Sequence, residues 1–66
     1  MTDPAYWTLA AKVCTAKELE ALELRDRNGL GQRMIALSLG VARSTVRERL
    51  DNADRKIQAA LKEEAA

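Results

Sequence analysis

Gln32–Leu50, QRMIALSLGVARSTVRERL, decides the fold. Ile35, Ala36 and Leu39 fall at i, i+1 and i+4 and form one apolar stripe of a short helix. Gly40 then supplies the left-handed backbone on which a helix ends, and Val41 turns back towards the core. A second helix starts near Arg43, with Val46 and Leu50 four apart on its inner face. Two helices that cross steeply need a small side chain where their backbones approach, and Ala36 is placed to be that residue. Short helices joined by a tight turn that carries one glycine make a helix-turn-helix. The outer face of the second helix displays Arg43, Ser44, Thr45, Arg47, Glu48 and Asp51. Cationic forks and short hydroxyls are side chains that read phosphates and base edges.

Around this stretch the chain is short. Its 66 residues suffice for one domain, residues 1–66, and for a small core only. Its single cysteine excludes an internal disulfide, and without histidine a zinc site is not expected. Phe is absent and Tyr and Trp occur once each, whereas Ala, Leu, Glu, Lys and Arg dominate. The expected class is therefore all-α, a four-helix domain that contains the helix-turn-helix and ends in a long helix. No long apolar run and no basic-then-apolar N-terminus occur, so the expectation is a cytoplasmic protein with no membrane span.

The net charge is only +1, but it is unevenly spread. Residues 1–24 carry two lysines against four carboxylates, a net of −2. Residues 25–49 carry six arginines against two carboxylates, a net of +4. Residues 50–66 carry three bases against four carboxylates, a net of −1. The positive charge thus lies on and just before the helix-turn-helix, and all of it is arginine, which binds guanine and phosphate bidentately. A solvated face of mixed charge is the plainer reading, but motif and charge point to the same place.

The rest of the chain supplies supports. Asp3-Pro4 marks a helix start, N-cap followed by proline at the first helical position, and predicts a helix over about 4–13. Met1 and Thr2 are expected to fray. Trp7, Ala10, Ala11 and Cys14 form one stripe and Leu9 and Val13 its neighbour, with Trp7 as a core anchor and Cys14 as a small buried hydrophobe. Thr15 and Glu18 form a capping box for a second helix that runs to about Arg27. Leu19 and Leu22 face inward there, and Glu23 can pair with Arg27. Asn28-Gly29 breaks the helix, Leu30 re-enters the core, and Gly31 is a weak cap for a third helix over about 32–39. The fourth helix spans about 43–63, with Leu50, Ala53, Ile57, Ala60 and Leu61 on an inward stripe and a tail that frays.

The chain resembles region 4 of bacterial sigma factors, the domain that reads the promoter −35 element. The similarity runs without a gap from about Thr15 to Leu61. It rests on Glu20, Leu22, Leu24-Arg25, Gly29-Leu30, Ile35-Ala36, Leu39-Gly40-Val41 and, most specifically, on STVRERLDNADRKI, residues 44–57. LuxR-type regulators look similar through LGVARSTV, but their loop before the motif is usually a residue shorter and they lack the Arg49/Ala53/Lys56 pattern. Three departures stand out. Gly31 and Ala42 occupy positions where the family favours better caps, Asp51, Asn52 and Asp54 stand where it is frequently basic, and no region 2 accompanies the domain. The resemblance implies a DNA-reading or polymerase-binding mode and not a complete sigma activity.

The expected function is that of a sequence-specific DNA-binding transcription regulator, of a kind phages and bacteria encode as a stand-alone domain. Arg43, Ser44, Arg47 and Glu48 would meet base edges in the major groove, while Gln32, Arg33, Thr45 and Arg49 would hold phosphates. Double-stranded DNA is the first expected partner, and a weak homodimer on two half-sites would raise affinity. The alternative is a protein-binding module that docks on RNA polymerase or on a sigma or anti-sigma factor. A DNA-recognition part of a larger machine, such as a phage terminase, is a third reading. No cofactor, metal or enzymatic activity is expected, since the carboxylates sit as helical neighbours of bases and no nucleophile–base pair occurs.

Overall fold

The computed structural model describes residues 3–65. The expected fraying of Met1, Thr2 and Ala66 lies outside the described residues, while the rest of the expected fraying tail is helical, since α4 runs on to Ala65. Four helices follow one another: α1 (Pro4–Val13), α2 (Ala16–Asp26), α3 (Gln32–Leu39) and α4 (Arg43–Ala65). The fold is all-α, and its last helix is the longest element at 23 residues, about 35 Å at 1.5 Å per residue.

Local chemistry sets the boundaries. Asp3 accepts from the Ala5 N–H at 2.9 Å, and Pro4 opens α1. Thr15 and Glu18 cap α2 reciprocally, Thr15 N–H donating to Glu18 Oε1 at 2.9 Å and Glu18 N–H to Thr15 Oγ1 at 3.2 Å. Gly40 ends α3 with φ +66°, and the N–H groups of Gly40 and Val41 both donate to the Ala36 carbonyl. A Cβ at Gly40 would meet nothing within 4 Å, so the glycine answers to the backbone angle and not to space.

α4 is the hub against which α1, α2 and α3 all pack. The core consists of Ala10, Ala21, Leu22, Ile35, Ala36, Val46, Leu50, Ala53 and Ile57. Its four alanines, one on each helix, let the backbones come close, so a small core remains dense. Ala36 is buried on α3, which packs against α4.

Several expectations change. The inward stripe of α4 ends at Ile57, which is 2% exposed, while Ala60 is half-buried and Leu61 is 43% exposed. Periodicity continues there, but the neighbouring helices run out. Trp7 is half-buried and not a closed core anchor; its ring meets Tyr6 edge-on at 5.3 Å and carries the Arg27 guanidinium at 4.4 Å. Arg27 therefore stacks on Trp7, in place of the expected pairing with Glu23. Ala11 is exposed, and Cys14 is half-buried with Sγ 4.0 Å from the Ala53 carbonyl oxygen. Burial pushes that thiol's pKa up, which makes it less reactive.

Two ion pairs tie α2 to α4. Arg25 donates bidentately to Asp54, Nη1 to Oδ2 at 2.9 Å and Nη2 to Oδ1 at 3.0 Å, while its Nε holds Asp26 at 2.8 Å. Lys56 Nζ reaches the buried Glu18 Oε1 at 2.8 Å. The hydrogen bond from Lys56, followed by that of the Thr15 backbone, holds the Glu18 carboxyl below its ordinary value of 4.5. A carboxylate with a depressed folded pKa stabilises the fold above its unfolded pKa, and that contribution is lost as pH falls through the folded value. Thermal melts should therefore drop as pH falls from about 5 towards 3, and Glu18→Gln should flatten that slope. An unchanged slope in the variant would place the acid sensitivity elsewhere.

Candidate nucleic-acid interface

The turn Gly40–Ala42 joins the end of α3 to the start of α4, and Gln32 at the start of α3 comes near the first turns of α4. Gln32, Arg43, Ser44 and Arg47 line a shared concavity of about 250 Å³. Arg43 and Arg47 are one turn apart, so their guanidiniums leave α4 on the same flank. Both are exposed, as are Ser44 and Glu48, while Gln32 is half-buried at the seam. Glu48 follows Ser44 by one turn on the outermost face.

The other expected site residues fall outside this concavity. Arg33 is exposed on α3 beside Gln32. Thr45 and Arg49 are half-buried and, four apart, share the opposite flank of α4. They suit a second line of contact along a backbone and not the concavity itself.

Ion pairing separates the arginines into two groups. Arg25 is held by Asp54 and Asp26, and Arg27 lies over Trp7. Among the described residues no ion pair engages Arg33, Arg43, Arg47 or Arg49. Guanidiniums without carboxylate partners keep their full capacity for an incoming anion. The same ties soften a departure noted in the sequence: Asp54 is neutralised by Arg25, and Asn52 accepts from Arg55 Nη2 at 3.0 Å.

The helix starts add a backbone contribution. Gly31 makes no side-chain cap bond to α3, and neither α3 nor α4 has an acidic residue in its first turn. Ala42 opens α4 through its carbonyl alone, which accepts from Thr45 and Val46 N–H at 3.0 and 3.2 Å. Two N-termini thus present uncapped N–H groups and the positive ends of their dipoles next to the free arginines, an arrangement suited to phosphate. Ala42→Asp should raise the melting temperature by several degrees, since a capping carboxylate contributes up to ~1 kcal/mol to a helix start. It should also weaken anion binding by placing a carboxylate where phosphate would sit. Calorimetry and a binding titration on one preparation test both effects.

No family model matches the chain, and neither curated proteins nor solved structures give a significant match. Among the described residues no helix is long and apolar enough to cross a membrane.

Proposed function

We propose that the domain binds double-stranded DNA sequence-specifically, with the start of α4 in the major groove, as a transcription regulator. One observation carries the reading: among the described residues, Arg33 on α3 and Arg43, Arg47 and Arg49 on α4 are exposed or half-exposed and have no carboxylate partner, beside the weakly capped starts of both helices. Arg43, Ser44, Arg47 and Glu48 are assigned to base edges, and Gln32, Arg33, Thr45 and Arg49 to phosphates. The resemblance to sigma region 4 supports the same orientation.

Selection of bound duplexes from a random pool tests this reading. The expected result is an enriched motif of about one half-site per domain, bound with a steep salt dependence. A pool that stays unenriched, with no salt-sensitive binding, would overturn it. The near-neutral net charge of +1 favours a second reading, a module that docks on RNA polymerase or a sigma or anti-sigma factor. Tight polymerase binding together with feeble DNA binding would select it.

A further inference from the structure

The outer face of α3 has no partner in the fold. Ile35, Ala36 and Leu39 point inward, whereas Met34 and Leu37, three residues apart, form an outward ridge. Met34 is 51% exposed and Leu37 67%. Two neighbouring large apolar side chains on one eight-residue helix leave apolar surface whose burial by a partner would be favourable. The ridge lies about a third of a turn or more from the seam at Gln32, so DNA held in the concavity would leave it open. Arg33 flanks the ridge on the same helix.

A complementary surface exists on the same chain. The outward side of α2 carries a shallow groove of about 370 Å³ lined by Ala16, Glu20, Glu23, Leu24 and Asn28. Its apolar floor is Leu24 and its acidic rim is Glu20 and Glu23. Among the described residues neither rim glutamate forms an ion pair, since those of α2 use Glu18, Arg25 and Asp26. The chain therefore presents an apolar ridge with a cation at its edge and an apolar-floored groove with anions at its edge. Within one chain α2 and α3 both pack on α4, and the ridge stays exposed.

We propose that a second copy of this chain covers both surfaces. The Met34–Leu37 ridge of one copy enters the Glu20/Glu23/Leu24 groove of the other, and a two-fold axis repeats the contact in reverse. Arg33 then meets the partner copy's acidic rim on each side. A net charge of +1 opposes such self-association little. Two small contacts make a weak dimer of the DNA-free protein, since an Arg33 held by the partner copy's rim does not hold a phosphate at the same time. Pairing through the inner stripe of α4 is not the route, because Ala53 and Ile57 are buried within the chain.

Sedimentation equilibrium without DNA tests the proposal independently of the DNA reading. Over a series reaching about 1 mM the protein should pass reversibly from monomer to dimer. Leu37→Lys should raise the dissociation constant at least about tenfold, and so should Arg33→Glu alone and Glu20→Arg/Glu23→Arg alone. A one-to-one mixture of the last two proteins should dimerise again, since both contacts then regain opposite charges. Circular dichroism should show all variants folded, because the altered side chains lie outside the core. Leu37→Lys should also keep wild-type affinity for a single half-site. A strict monomer at the highest concentration, a dimer indifferent to Leu37→Lys, or a mixture that stays monomeric would each overturn the proposal.

Discussion

Ile57→Lys should leave the chain unfolded at room temperature. Ile57 is 2% exposed and belongs to the buried cluster that also holds Leu50 and Ala53 of α4 and Ala10 of α1, the helix that packs on α4. The substitution removes a buried apolar side chain and puts an ammonium in its place. The loss of burial and the desolvation of an unpaired charge together cost ~4 kcal/mol or more. A domain of this size holds on the order of 3–10 kcal/mol in total. Circular dichroism at 222 nm should show most of the helix signal gone, or a melt shifted down by tens of degrees. Leu61→Lys, one turn further along the same stripe but at a position 43% exposed, should shift the melt by only a few degrees. If the two variants behave alike, α1 does not cover α4 as described.

That contrast marks where sequence periodicity stops being informative. Caps and breakers are local, so Asp3-Pro4, the Thr15–Glu18 box and Gly40 place helix ends within a residue or two. The stripe from Val46 to Ile57 is legible because one helix repeats its inner face every three or four residues. Whether Leu61 is covered depends on where another helix ends, which no spacing records. The interhelical ties were hidden for a related reason. Arg25 and Lys56 flank their own inward stripes, a signal that they might reach across, but their partners Asp54 and Glu18 depend on how α2 is rotated against α4. The sequence count of six arginines in residues 25–49 therefore overstated the free charge, since Arg25 and Arg27 are engaged within the fold. Met34 and Leu37 form a second apolar stripe on α3, opposite Ile35, Ala36 and Leu39, and the spacing of the inward residues alone does not reveal it.

Among the arginines that remain free, Arg47 should matter most for sequence preference. It leaves α4 one turn after Arg43, on the flank that borders the Gln32/Ser44 concavity. The first two turns of a recognition helix carry the side chains that reach base edges, and Arg47 projects from the second of them. An arginine there can place two N–H donors on guanine O6 and N7 at once, a pattern that no other base pair presents in that position. Arg47→Ala should therefore weaken binding to the selected site by about 1–3 kcal/mol, roughly 5- to 150-fold, and flatten the preference at one base pair. Arg33→Ala should act differently, lowering affinity for all duplexes alike and reducing the salt slope by about one. The two signatures separate reading from holding within a single set of titrations on specific and random DNA. Equal losses for Arg47→Ala on both duplexes would reassign it to a phosphate, leaving Arg43 and Glu48 as the side chains that reach the bases.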